Sequence, residues 1–441
     1  MTAPQPARKD EKLGILLAGF GAVASTFAAG ILHAQKSQTP LVGSLTQLGK
    51  VSVPTNKGTV DMAMGDLVSL ASVDNIVMSG WDPLSRNALE AAKQADVLTE
   101  KDIAHVADEL QAIQIMAPVF DKAWVPGIEP IQQIDGASKL EMANQLRADM
   151  EAFKADNGCD RVVLVWCGST EGYSEPTAVH QTVEAFEKGL ADSDAAIAPS
   201  QMYAWAAIGL GIPFANGAPN LTLDLPFVAE LAAKTQTPFA GKDFKTGQTF
   251  LKTLLAPGLK DRMLGVRGWY STNILGNRDG MVLDTPANFK TKENSKLGVL
   301  DTILDSDDNP ELYDDMDHVV RINYYKPRGD AKEGWDNIDI FGWMGYDMQI
   351  KVNFLCRDSI LAAPLVLDLA LLLDLGKRNG ESGVQEWLGF YLKAPQTPEG
   401  KPVQHDIRKQ LEVLEQKLVS FAAEDVIDLT IEAPSTEPAT V

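Results

Sequence analysis

The chain has 441 residues, more than one ordinary compact core accommodates, so two lobes are expected. Its 60 acidic side chains outnumber 39 basic ones, and the formal net charge of -21 repels nucleic-acid phosphates and anionic lipid surfaces, which excludes both as partners. Cys159, Cys167 and Cys356, an odd number at unrelated spacings, read as buried thiols of a reducing, cytoplasmic compartment, not as a disulfide framework or a zinc site.

Arg8 and Lys9 precede a nearly unbroken run of apolar and small residues from Leu13 to Leu32, long enough for a signal peptide or membrane span. Asp10 and Glu11 directly before it, and Gly14, Gly19 and Gly21 within it, favour a strand, a turn and a helix. Leu13 to Ala18 reads as a buried strand, Gly19-Phe20-Gly21-Ala22-Val23-Ala24 as a GxGxxA turn, and Ser25 to Ala34 as a helix. In that setting Gly19 serves the tight turn, and Gly21 lets backbone amides approach a pyrophosphate at the helix N-terminus. Ala24 permits close packing of helix on sheet, so a bound dinucleotide is predicted.

The acidic residue that usually holds the adenosine ribose, ~20 residues further on, is missing. No Asp or Glu occurs between Lys12 and Val60. A second strand is expected near Leu41-Val42-Gly43, ending in Ser44 and Thr46. Either those hydroxyls or a later residue meets the ribose, or the cofactor carries a phosphate there, which keeps NADP open beside NAD.

Further along, Asn75 to Met78 predicts a strand with Gly80-Trp81-Asp82 at its end, followed by a helix over Ala88 to Val97. Arg161 to Trp166 is a valine-rich strand leading into Cys167-Gly168-Ser169-Thr170-Glu171. Tyr203 to Leu210 looks helical and runs into Ile212 to Gly217. This alternation predicts an α/β fold with a Rossmann-type, doubly wound, mostly parallel sheet, whose strand ends carry the ligand contacts. From about Lys245 to Asn353 the rhythm gives way to strand-like segments such as His318 to Tyr325, which predicts an inserted α+β lobe. The apolar stretch Ile360 to Leu375, interrupted by Asp368 and Asp374, is short of membrane length and reads as a buried core helix. The expected division is therefore 1–244 for the first part of the dinucleotide domain, 245–353 for the insertion and 354–423 for the return. An acidic tail at 424–441 is expected to be disordered.

Lysines are informative in so acidic a chain. Lys292 and Lys296 share a face if helical, where like charges repel unless an anion lies between them, although two solvated surface lysines make the same pattern. Gly241 to Thr249 has the glycines, hydroxyls and lysines of an oxyanion-binding turn. Leu275 to Gly280, Arg328 to Lys332 and Leu392 to Pro395 are similarly polar turns. Nothing in their spacing shows that they converge.

In this order, Gly80-Trp81-Asp82, Asp243 to Thr249, Leu275 to Gly280, Phe289 to Lys296, Gly329 to Lys332 and Cys356 to Pro364 resemble the myo-inositol-1-phosphate synthase family. The resemblance extends to Lys393-Ala394-Pro395 and covers most of the chain. It implies a Rossmann domain interrupted by a catalytic and tetramerisation lobe, and a homotetramer. It also implies a redox-neutral isomerase acting on glucose 6-phosphate: NAD oxidises C5, the ketone acidifies C6, the enolate closes on the C1 aldehyde, and the ring ketone is reduced again. Preorganised cations are the strongest means of holding an enolate, an aldol oxyanion and a phosphate, and crowded, desolvated lysines exchange protons near neutral pH.

By motif match the resemblance gives Lys292 the proton at the C5 oxygen, and Lys296, Lys332 and Lys393 the phosphate and oxyanions. Asp243, Asp330 and Asp358 would orient lysines and cofactor. Gly19, Phe20, Gly21, Ala22, Val23, Asp82, Ser169, Thr170 and Gly217 would line the dinucleotide, together with Asp243, Thr246, Asn277, Arg278, Asp279, Gly329, Asp330, Asp358 and Ser359. Some members use a divalent or monovalent cation, whose ligands the motifs leave unknown. Arg278 and Arg357 depart from the family pattern, standing where many members carry Asn and an acidic residue, and bear on NAD against NADP or on metal dependence. An NAD(P)-dependent sugar-phosphate dehydrogenase shares the glycine turn and is the competing reading, distinguished by net turnover of cofactor.

Overall fold

Strand β1 (Leu13–Ala18) is buried at all six positions, as a strand covered by helices on both faces must be. The computed structural model describes residues 11–55, 58–277, 280–281 and 298–422. Along β1, Leu13, Ile15 and Leu17 enter one apolar core, while Leu16 and Ala18 enter a second on the opposite face. Helix α1 (Ala22–Ser37) covers the first face; α2 (Lys139–Asp156) and α3 (Pro199–Gly209) cover the second.

After β1 come the hairpin strands β2 (Lys50–Thr55) and β3 (Gly58–Ala63), which among the described residues pair only with each other. The main sheet continues with β4 (Ile76–Trp81), β5 (Ile115–Met116), β6 (Arg161–Trp166), β7 (Phe214–Asn216), β8 (Pro238–Gly241) and a late strand, β13 (Gly383–Val384). Its order is β13-β8-β7-β6-β1-β4-β5, and every pairing is parallel. Apart from β13 this is the strand order of the Rossmann sheet, reversing between β1 and β6, where such sheets take their ligands.

The strand expected at Leu41-Val42-Gly43 does not form; those residues make a turn, with Val42 80% exposed and Gly43 at φ 93°. A left-handed residue breaks an extended run after two positions. β4 takes the place beside β1 that the sequence had suggested for Leu41 to Gly43.

The second sheet has the order β10-β9-β11-β12, from β9 (Gly265–Leu275), β10 (Asp317–Tyr324), β11 (Ala331–Phe341) and β12 (Asp347–Arg357). Helix α4 (Gly247–Asp261) brings Ala256 and Leu259 against Val266, Trp269, Ile338 and Ile340. The chain then returns through α5 (Asp358–Arg378), whose length and hydropathy would suit a membrane, but 72% of whose apolar window is buried inside the protein. It is a core helix, packed with α1 on the first face of the main sheet. The last described helix is α6 (Ile407–Phe421). Expectations for 424–441 lie outside the described residues.

Candidate active site

At the carboxyl ends of the main-sheet strands lies a cleft of about 420 Å³. Its floor is the glycine turn. Gly19 has φ 88°, and a Cβ there would stand 2.2 Å from the Cα of Gly168, so the loops after β1 and β6 touch and only glycine fits between them. Gly19 and Phe20 donate their N–H groups to the Trp81 carbonyl at 2.9 and 3.0 Å. A Cβ on Gly21 would meet nothing within 4 Å, and Gly21, Ala22 and Val23 open on the cleft at the start of α1. Early helix amides lack intrahelical partners and attract anions. Phe20 itself does not face the cleft: it is fully buried in the core.

Asp82 is the acidic side chain at the place where Rossmann sheets carry the ribose acid. It directly follows β4, the strand in the second Rossmann position, and lines the cleft. The chain between α1 and β4, which includes the β2–β3 hairpin, has moved it far beyond the usual ~20-residue spacing. Ser44 and Thr46 are engaged elsewhere: both hydroxyls, and the amides of Leu45 and Thr46, donate to the buried carboxylate of Asp368 on α5.

The opposite wall comes from the segments whose convergence the sequence left open. Residues 242–245 run antiparallel to 391–394. Lys242 donates to the Ala394 carbonyl and Ala394 to that of Lys242, at 2.9 and 3.1 Å, while Lys245 donates to the Tyr391 carbonyl at 2.8 Å. This ladder sets the Lys393 ammonium 3.1 Å from Asp243 Oδ1, both side chains almost fully buried. A second pair joins Lys332, at the start of β11, to Asp358, at the start of α5, at 2.9 Å. Gly247, at φ 58°, packs against that pair: a Cβ there would lie 3.6 Å from Lys332 Nζ. Lys332 stands behind the cleft wall, whereas Asp358 and Lys393 are part of it.

Asp330 accepts hydrogen bonds from Ser359 Oγ at 2.8 Å and Asn277 Nδ2 at 3.3 Å. Burial raises its pKa, those two bonds oppose the rise, and neighbouring Asp358 adds to it. Its buried Oδ2 has no hydrogen-bond partner among the described residues. An orphaned acceptor beside a dinucleotide cradle fits a ligand that brings N–H or O–H donors, as a nicotinamide ribonucleoside does. Ser169, Thr170, Gly217, Thr246, Asn277, Gly329 and Ser359 also line the cleft, so its walls and the open glycine turn accommodate NAD. Arg278, Asp279, Lys292 and Lys296 lie outside the described residues. Arg357 is exposed and donates to the carbonyl of Asp96, a cleft residue, at 3.4 Å. Among the described residues no group of three or more His, Cys, Asp or Glu side chains gathers as a metal site.

Sequence reasoning missed three features. Trp166 and Tyr203 line the cleft, and nothing in the sequence distinguishes a mid-helix tyrosine such as Tyr203 from ordinary core. Glu171, quoted only as part of a turn, is buried in the cleft wall, where it accepts bonds from the amide and hydroxyl of Ser200 at the start of α3. Burial pushes its pKa to about 7, against those two bonds. Desolvation lowers the pKa of Lys245 to about 7 and that of Lys252 to about 8.

The family model described as myo-inositol-1-phosphate synthase, an NAD-binding family, matches residues 13–418. Inositol-3-phosphate synthase 1 of Bacteroides thetaiotaomicron is 49% identical over 415 residues, covering 94% of this chain and 96% of that protein. The inositol-3-phosphate synthase of Saccharomyces cerevisiae is 31% identical over 459 residues, covering 93% and 85%. The crystal structure of inositol-3-phosphate synthase from Caenorhabditis elegans superimposes with a TM-score of 0.87 at 27% identity, covering 98% of this chain and 90% of that one. With the Rossmann order, the glycine cradle and the lysine–carboxylate wall meeting in one cleft, the chain belongs to the myo-inositol-1-phosphate synthase family.

Proposed function

We propose that this protein converts D-glucose 6-phosphate to 1D-myo-inositol 3-phosphate without net oxidation, using NAD as a catalyst. The observation that carries the reading is the junction itself: a dinucleotide cradle opens onto the buried Asp243–Lys393 pair and onto Asp358, which Lys332 backs, all drawn from separate parts of the chain. NAD, when bound, supplies hydride acceptance at C5 and hydride return after ring closure. Lys393, with Lys296, holds the phosphate and the oxyanions, and Lys332 adds its charge from behind the wall through Asp358; Lys292 moves the proton at the C5 oxygen. Asp243 and Asp358 aim their lysines, since a carboxylate at this distance restrains an ammonium more tightly than solvent does. Asp330 offers its second oxygen to the cofactor.

A buried Asp82 carboxylate at the ribose position disfavours a 2′-phosphate by like-charge repulsion, which supports NAD over NADP. The insertion at 245–353 would serve catalysis and tetramerisation. Trp343, 89% exposed, Tyr346, 70%, and Met348, 47%, give that lobe an apolar surface suited to a second copy of the chain. Three free cysteines suit the reducing cytoplasm.

The deciding assay gives the purified protein glucose 6-phosphate and catalytic NAD, then follows periodate-releasable phosphate together with absorbance of NADH. Phosphate release without accumulating NADH is the expected result. Steady NADH accumulation would instead establish a dehydrogenase.

A further inference from the structure

We propose that Lys245 is a positioning residue that fixes the approach of Lys393 to Asp243 and couples the C-terminal helix α6 to the cleft. The inference rests on the assignment of Lys393 to substrate made above.

Lys245 holds the Gly389–Tyr391 turn at both ends. Its backbone N–H donates to the Tyr391 carbonyl at 2.8 Å, and its side-chain ammonium reaches the Gly389 carbonyl at 3.3 Å. The same ammonium donates to Gln410 Oε1 on α6, whose amide nitrogen in turn donates to the Gln404 carbonyl at 2.6 Å. Two residues beyond Tyr391 stands Lys393, whose own N–H donates to the Asp243 carbonyl at 2.6 Å. Lys245 therefore closes the inner end of the short ladder whose next alternate rung is the Asp243–Lys393 pair.

An ammonium in this place is not a stabilising choice in itself. It is 5% exposed, no described carboxylate lies within ion-pair distance, and its acceptors are a neutral carbonyl and a neutral amide. Desolvation lowers its pKa to about 7, and its charge adds to the burial that takes nearby His405 down to about 4. A methionine would fill the same space without desolvating a charge. What the ammonium supplies is a fixed junction of three segments, the turn after β8, the Gly389 turn and α6, one alternate rung along the ladder from a side chain whose placement within about an ångström governs rate.

The test uses the full chain as Lys245→Met, Gln410→Leu and the double variant, beside wild type. It reads kcat/KM for glucose 6-phosphate, the Kd for NAD, and amide hydrogen exchange over 387–396 against 13–18. Lys245→Met is expected to lower kcat/KM by about tenfold or more and to speed exchange in 387–396, with NAD affinity and exchange in β1 unchanged. Gln410→Leu gives a smaller change in the same direction, and the double variant loses no more than Lys245→Met, as partners in one junction must. Wild-type kcat/KM and exchange in both single variants would overturn the proposal. So would a uniform rise in exchange with loss of NAD affinity, which marks general destabilisation. If Lys245→Met does not fold, Gln410→Leu decides by the same criteria. An inactive wild type would refute the proposed reaction, and the exchange measurements would still decide whether Lys245 holds the 391–394 segment.

Discussion

Lys393 and Asp243 are joined twice: the ammonium of Lys393 lies 3.1 Å from Asp243 Oδ1, and its backbone N–H donates to the Asp243 carbonyl at 2.6 Å. The backbone bond sets where the side-chain pair can form, and burial makes each charge depend on the other.

Breaking that pair from either side is therefore expected to cost both stability and activity. Removing one partner of a buried ion pair leaves an uncompensated charge, worth about 3–5 kcal/mol. Lys393→Met and Asp243→Asn should both lower the unfolding midpoint in denaturant, while only a replacement of both partners, Asp243→Leu with Lys393→Met, recovers part of it. None of the three should make inositol phosphate at more than about a hundredth of the wild-type rate, because loss of one preorganised charge at developing oxyanions typically costs 10²–10³-fold. Wild-type turnover by Lys393→Met would refute its role.

The two glycines of the cradle should fail differently. Gly19→Ala places a Cβ 2.2 Å from the Gly168 backbone at φ 88°, so the expected outcome is a folding defect seen as low soluble yield or a depressed melting temperature. Gly21→Val projects into open cleft, so it should fold like wild type and lose NAD by calorimetric titration. Equal stability loss in both would mean that the position of Gly21 is structural.

Glu171 predicts a pH dependence of stability. Its pKa is raised from 4.5 to about 7, so between those values the unfolded chain releases a proton that the folded protein keeps. The resulting contribution to stability falls as pH rises through that window and is level above it. Melting temperatures of wild type and Glu171→Gln at intervals from pH 5 to 8 should show wild type losing ground to the variant as pH increases. Parallel profiles would exclude a raised Glu171 pKa.

Much of the first half of the fold was legible because local pattern and tertiary role agree there. A wholly apolar hexamer, a GxGxxA turn and an apolar helix admit few arrangements inside a folded core, and Arg161 to Trp166 forms the strand its valines predict. The helix at Ala88 ends at Ala95, within the usual slack of element boundaries. The second strand was misread because position in a sheet is not a local property. Leu41 to Gly43 comes at the right distance after α1, yet the chain detours through a hairpin and gives the place to β4. Ser44 and Thr46 looked available for ribose only because their partner, Asp368, lies in a helix far along the chain.

Sequence alone thus determined the chemistry that the chain could bring to a site: a dinucleotide turn, an excess of acid against which a few lysines stand out, and ordered motifs that carry a family resemblance. These are properties of residue type and near-neighbour spacing, which survive without coordinates. Only the tertiary structure decided which acid stands at the end of the second-position strand, which carboxylate faces which lysine, and that Lys245 anchors the turn just before Lys393. Those relations join residues remote in the chain, through contacts that exist only once two apolar cores have closed around the parallel sheet.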